Sequence, residues 1–255
     1  MAILFYKDWG KYPNAIIDYK TSNRSFLEIS EIYKRMGKKN HAFPLALHDK
    51  ALQGVDPYDY TKLTEELIGR IIQEIKVNPW YFFREIARAP SPAGPVPIRF
   101  KANRGNIAIY WNFFNHITPY AVFIRQTGKS FSIGMLIEGL LKFWCANTDI
   151  NMLTKDDQLR ANTVELIKGF MDELPFYLKM SSKTDKRNNQ AITVDLMGNK
   201  LTTHVAQSSE KAARNTGRGL TTPIIYIDEY AYVKNIAYSS PALLAAGGTE
   251  LYAVA

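Results

Sequence analysis

From about residue 100 the chain alternates between short apolar runs and helix-length amphipathic stretches, and this alternation restricts its fold more than any other feature. A helix predicted at about 106–116 precedes a strand at about 120–124. A helix follows at 129–144, then a strand at 149–153 and a helix at 156–173. "AITVDLMG" and "KLTTHVAQ" read as a strand pair around Gly198, "PIIYID" (223–228) as a further strand, and the final "ELYAVA" begins another. Strands separated by helices of this length join in a mostly parallel sheet, because a parallel connection needs a crossover long enough to be a helix. The expectation is an α/β core with helices on both faces of the sheet.

The part before it reads as helical. "TSNRSFLEISEIYKRMG" predicts a helix with a Ser or Asn cap and Gly37 as its stop. Lys34, Arg35, Lys38 and Lys39 at its end suit the helix dipole, and they suit an anion-contact patch equally. "TKLTEELIGRIIQEI" (61–75) places Leu63, Leu67, Ile71 and Ile75 on one stripe. "NPWYFFREIARA" (78–89) starts a helix with Asn78 as cap and Pro79 at the first helical position, and "PSPAGPVP" (90–97) is an extended loop. Residues 1–97 thus form a helical N-terminal region and residues 98–255 the core domain. The aromatic residues at Trp80–Phe83 and Tyr110–Phe114 follow helical spacing and read as core.

Two predicted strand ends carry chemistry. "PYAVFIRQTGKS" runs from a strand through a loop into a helix. A phosphate loop needs that context: the backbone of Gln126, Thr127, Gly128, Lys129 and Ser130 wraps the phosphates, and the helix start adds N–H groups and a favourable dipole. Lys129 reaches the β- and γ-phosphates and the Ser130 hydroxyl ligates Mg²⁺. Phe123 stands where such a loop ordinarily has its first glycine. The second end is "TPIIYIDEYAY", where Ile224–Ile227 lead into Asp228 and Glu229. Two buried like charges are costly, and a Mg²⁺ ion relieves the cost. Asp228 holds the metal, and Glu229 orients and polarises the water that attacks the γ-phosphate. A hydrolysing ATPase with ATP and Mg²⁺ follows.

Residues 179–218 are basic: Lys179, Lys183, Lys186, Arg187, Lys200, Lys211, Arg214 and Arg218 against Asp185, Asp195 and Glu210. "SSEKAARNTGRG" reads as a mobile loop. Its Arg218, ten residues before Asp228, is a candidate for transition-state charge stabilisation, in its own subunit or a neighbour's, and equally a DNA-phosphate contact. The whole chain carries a formal net charge of +8 with a pI near 9.3, which favours a polyanionic partner such as nucleic acid. The single cysteine, Cys145, excludes an internal disulfide. The longest apolar stretch, 107–124, is broken by Asn112, Asn115, His116 and Pro119, so no membrane span is expected, and the N-terminus does not read as a signal peptide. His41, His48, His116 and His204 show no metal-ligand spacing.

These motifs resemble a family. "FIRQTGKS" is similar to the deviant Walker A of large terminase subunits, the DNA-packaging motors of tailed bacteriophages, and "IIYIDEYAY" to their Walker B. "ARNTGRGLTTPIIYIDE" resembles the family's Arg-Gly segment, and "NPWYFFREI" with "IRFKANRGN" its approach to the motor core. The resemblance covers roughly residues 76–255. It implies a P-loop NTPase of the ASCE type, with a mostly parallel sheet flanked by helices and a helical N-terminal extension. It implies that Arg125 contacts phosphate or senses the γ-phosphate, so that Phe123 need not mean a dead site. It points to Asn106 at the position of an adenine-reading glutamine. The implied partners are double-stranded DNA, a portal protein and a small terminase subunit. The implied setting is a homo-oligomeric ring at the capsid portal vertex in the host cytoplasm. A coupling motif and a nuclease domain follow Walker B in the family, and the chain ends at Ala255 ahead of both. Two other readings remain: a helicase-like nucleic-acid-dependent ATPase, and a nucleotide- and DNA-binding fragment that does not hydrolyse.

Overall fold

The computed structural model describes residues 2–123, 128–216, 222–245 and 250–254, with 244–245 and 250–254 described by backbone alone. Arg125, Gln126, Thr127 and Arg218 lie outside the described residues. The chain divides into two units, residues 1–107 with 169–179 and residues 108–168 with 180–255.

In the first unit, strand β1 (Ile16–Ile17) is followed by helix α1 (Arg24–Arg35) and strand β2 (Ala46–Leu47), which pairs antiparallel with β1. Asn23 precedes α1, but its side chain does not cap it. Its amide donates instead to the carbonyls of Arg84 and Phe100, each at 3.0 Å. Helix α2 (Glu65–Val77) has a cap of the expected kind: Thr64 Oγ1 accepts from the Leu67 N–H at 3.2 Å. Its first turn carries Glu65 and Glu66 and its last Lys76, the order the dipole favours.

Asn78 and Pro79 start helix α3 (Pro79–Tyr81) as the sequence predicts. The helix does not run to residue 89. It passes into a π turn at Phe82–Ile86 and stops, because Arg88–Ala89 (β3) pairs antiparallel with Ile98–Arg99 (β4). The Pro-rich loop joins those two strands. Trp80, Tyr81, Phe82 and Phe83 are fully buried, as core. Helix α4 (Arg104–Phe114) follows.

The second unit holds the sheet. In chain order its elements are β5 (Tyr120–Ala121), α5 (Lys129–Gly139), β6 (Asp149–Thr154), most of α6 (Asp157–Asp172), β7 (Ala191–Val194), β8 (Asn199–Val205), α7 (Glu210–Ala213), β9 (Ile224–Asp228), α8 (Ile236–Ala245) and β10 (Glu250–Val254). The helix expected over 129–144 is α-helical to Gly139 and a π turn from Leu140 to Trp144. Asn199 stops it, its amide donating to the carbonyls of Leu141 and Cys145 at 2.9 and 2.8 Å.

The spatial strand order is β5-β10-β9-β6-β8-β7. Every pairing is parallel except β7 with β8, the predicted pair around Gly198. The fold is therefore mixed α/β, a mostly parallel sheet with flanking helices. Leu153, Ile225 and Ile227 of the central strands form a buried cluster with Val233 and with Leu243 of α8. Strands buried this way read as continuous apolar runs, which is why "PIIYI" shows no alternation.

Candidate nucleotide site

A parallel sheet brings the C-terminal ends of its strands to one edge, where ligands of open α/β folds bind. Here that edge gathers the segment after β5, Lys155 after β6, and Asp228 with Glu229 at the end of β9. The two predicted motifs, about 100 residues apart in sequence, thus leave the same edge of one sheet.

Gly128 is the N-cap of α5 and has φ +77°, a left-handed conformation that favours glycine. A Cβ added there would meet no atom within 4 Å. The glycine therefore answers to backbone conformation, and the space beside it is open. The Gly128 carbonyl starts the helix by accepting from the Ser132 N–H at 2.9 Å. Lys129 and Ser130 are half-buried in the first turn.

Asp228 is fully buried. Its Oδ1 accepts from the Glu229 N–H at 3.0 Å, and its Oδ2 has no hydrogen-bonding partner. Burial pushes the Asp228 carboxyl above the usual aspartate range, against the opposing pull of Tyr226 and of the Lys129 charge. The Tyr226 hydroxyl lies close enough to act on this carboxyl, without the geometry of a hydrogen bond. A buried carboxylate oxygen without a donor is expensive to leave so, and a bound cation would relieve the cost. The donor set of a buried Asp oxygen and a Ser hydroxyl is the hard-oxygen chemistry that Mg²⁺ takes. Asp228 and Ser130 are of the chemistry that would hold Mg²⁺, and Lys129 and the open helix start are of the kind that meets phosphate.

Glu229 sits in the left-handed region, at φ +50° and ψ +48°. Non-glycine residues reach that region rarely, and functional sites are where such strain concentrates. Its Oε2 lies 2.5 Å from the Nζ of Lys155, with both side chains about one-third exposed. The Glu229 carboxylate holds the Lys155 amine above the ordinary lysine range, and the ammonium also stands 5.9 Å from the centre of the Tyr232 ring.

Lys155 is the site residue that sequence reasoning missed. It directly follows a strand, but nothing in "NMLTKDD" says that this strand lies beside the one ending in Asp-Glu; only the strand order does.

Other predicted residues fall as follows. Asn103 and Asn106 cap the start of α4 reciprocally: each side-chain oxygen accepts from the other's N–H, at 3.0 and 2.8 Å, and the Asn106 amide donates to the Lys101 carbonyl at 2.8 Å. Both ends of the Asn106 amide thus have local partners. Lys179, Lys183, Lys186, Arg187, Lys211 and Arg214 are exposed. The segment expected as a mobile loop over 208–219 contains the short helix α7, because Ser209 Oγ accepts from the Ala212 N–H at 3.3 Å. The Arg214 guanidinium stacks on Tyr238 at 4.5 Å. His41, His48 and His204 hydrogen-bond to Ser30, Glu74 and Asn151. Among the described residues no three His, Cys, Asp or Glu side chains are grouped as a metal cage, and no helix is long and apolar enough to cross a membrane.

No protein-family model matches the chain, and no curated protein matches it. Solved structures do. The chain is similar to the HK97 bacteriophage large terminase, at 15% identity and a TM-score of 0.51, over 76% of this chain and 38% of that one. It also aligns with the large terminase ATPase domain of Thermus phage P74-26, at 15% identity and a TM-score of 0.46, over 61% of this chain and 65% of that one. The chain thus spans 38% of the length of the HK97 protein, and the likeness to that protein is one of fold.

Proposed function

We propose that the chain is the ATPase motor part of a viral DNA-packaging terminase large subunit, coupling ATP hydrolysis to translocation of double-stranded DNA into a capsid. The observation that carries the reading is the fully buried Asp228, whose Oδ2 has no partner, at the strand-end edge of a parallel sheet. The fold shared with the HK97 large terminase supports the motor class. The strand order supports the ASCE assignment, the additional-strand class with a catalytic glutamate. One strand, β10, stands between the strand before the loop and the strand ending in Asp-Glu.

In this reading Lys129 neutralises the β- and γ-phosphates, and the backbone of Gln126, Thr127, Gly128 and Ser130 cradles them. Ser130 and Asp228 would hold Mg²⁺, which when bound would supply charge screening at the phosphates. Glu229 accepts a hydrogen bond from the attacking water and orients it. Arg125 and Arg218 supply positive charge to the transferring phosphoryl group, Arg218 from its own subunit or a neighbour. For Asn106 to read the base, its amide has to leave Asn103 and Lys101. A ring of copies on a portal protein, fed by a small subunit in the host cytoplasm, is the setting this role requires. The exposed lysines and arginines of 179–214 are suited to DNA phosphates.

The test is Mg²⁺-dependent phosphate release from ATP, with and without double-stranded DNA, for the chain and for Lys129→Ala and Glu229→Ala. The expected result is turnover that each substitution lowers by at least about 100-fold. ATP binding without release would replace the motor reading with that of a binding module. No ATP binding would remove both.

A further inference from the structure

The first unit carries a charged surface that the nucleotide site does not use. Helix α1 ends on Lys34 and Arg35, and Gly37, at φ +73°, turns the chain back against it. The Lys38 N–H donates to the Tyr33 carbonyl at 3.0 Å and the Gly37 N–H to the Lys34 carbonyl at 2.9 Å, the paired bonds of a Schellman turn. Lys38 and Lys39 are thereby fixed beside the last helical turn, next to Lys34 and Arg35, and all four are exposed.

The N-terminal segment is fastened to the same place. The Asn40 amide donates to the Leu4 carbonyl at 2.7 Å, and its oxygen accepts from the Trp9 indole N–H at 2.8 Å. Between those two anchors lie Phe5, Tyr6 and Lys7, all exposed, with Tyr6 at 68%. The Lys7 ammonium stands 5.7 Å from the centre of the Phe5 ring. The acids nearest in sequence are committed: Asp8 is buried and pairs with Lys11, and Glu31 pairs with Arg35. Lys7, Lys34, Lys38 and Lys39 form no ion pair among the described residues.

Cations and exposed aromatic rings gathered in one place suit one class of ligand. The lysines answer phosphates. The rings answer bases, but only bases that are not already stacked inside a duplex. A duplex would engage the lysines and leave the rings idle. We propose that this face binds an unpaired nucleic-acid strand, with Lys34, Lys38 and Lys39 on its phosphates and Tyr6 stacked on a base. No residue of the nucleotide site takes part, so the inference stands apart from the ATPase reading.

The test is fluorescence anisotropy of the whole chain with a labelled oligothymidine of about 20 nucleotides, and with a duplex of equal length, across a salt series. Tyr6→Ala is expected to weaken oligothymidine binding at least about fivefold, the low end for one stacked base, and duplex binding by less than about twofold. Lys34→Gln, Lys38→Gln and Lys39→Gln together should make the slope of log K against log salt shallower by about 2 for the single strand, at about 0.7 per phosphate. The substituted side chains are exposed, so the fold is retained. The basic 179–214 segment can also hold an oligonucleotide, so photocrosslinking locates the contact, and the peptide holding Tyr6 should carry the oligothymidine adduct. An unchanged salt slope, or no adduct on that peptide, would overturn the proposal. An equal loss of single strand and duplex in Tyr6→Ala would overturn it too, leaving a general anion-binding face in its place.

Discussion

Glu74 in the first unit and Asp228 in the second are both buried carboxylates, and their surroundings are opposite. Glu74 accepts from the His48 and Asp49 N–H groups at 2.9 and 3.1 Å, from the Asn78 amide at 2.6 Å, and meets the His48 ring at 3.2 Å. Burial works against its charge, but those hydrogen bonds win and hold its carboxyl below the ordinary glutamate range. Asp228 has one N–H donor and an empty oxygen, and burial wins. A carboxylate whose donors come from its own chain is finished and holds the fold. One left short of donors at a strand-end edge is complete only with a ligand.

The largest expected effect is on the finished carboxylate. Glu74→Ala leaves the donors of His48, Asp49 and Asn78 buried without an acceptor and should destabilise the first unit by about 3 kcal/mol. The effect has a pH signature. The folded-state value of Glu74 is depressed, so its stabilisation is present above the unfolded value and is lost as pH falls through the folded one. Urea midpoints of the chain and of Glu74→Ala should therefore differ most near neutrality and converge on acidification. A gap that persists in acid would mean that Glu74 acts through packing and not through its charge.

Asp228→Asn should move stability the other way. The folded-state value of Asp228 is raised, so the folded chain loses stability as pH rises through that value, and a neutral amide avoids the loss. A gain of about 1–2 kcal/mol at neutral pH is expected, shrinking in acid, together with loss of Mg²⁺-dependent ATP binding. Thermal melts of the apo chain at two pH values read it. Destabilisation by this substitution would place Asp228 with Glu74, as a structural group.

How much of this contrast can be read from sequence depends on where each partner comes from. Asp228 and Lys129 announce themselves because a strand–loop–helix and an apolar run ending in acids are local patterns, and the alternation of elements already implies that both ends share one edge. Gly128 is legible as part of that loop, although its left-handed backbone, and not a close approach, is what the structure shows calling for glycine. Glu74 was invisible as anything but a polar helix residue. Its donors at 48–49 come from a segment some 25 residues upstream that no periodicity links to α2. Lys155 failed likewise, because strand order is a tertiary fact. The helix predicted over 78–89 ends early for a related reason: the pairing of Arg88 with Arg99 stops it ahead of Pro90, the stop that the local sequence offers. Asn23 occupies its predicted cap position, yet its amide goes to Arg84 and Phe100.

The smallest expected effect guards the comparison against a false rule. Glu138 in α5 is also buried and lacks a partner on both oxygens, so an orphaned carboxylate alone does not mark a site. Burial pushes its carboxyl far above the glutamate range, against the Lys142 charge one turn on. It lies more than two turns beyond the phosphate-loop end of α5, where every residue from Ser132 to Gly139 is buried. A carboxyl whose charge is so strongly disfavoured by burial is nearly matched by an amide in shape. Glu138→Gln should therefore change stability by less than about 1 kcal/mol and leave ATP turnover as it was. Asp228→Asn, the same exchange of acid for amide, should abolish turnover, because there the charge is needed. If Glu138→Gln also abolished Mg²⁺-dependent turnover, position at the sheet edge would no longer separate the two carboxylates. The site would then have to extend down α5.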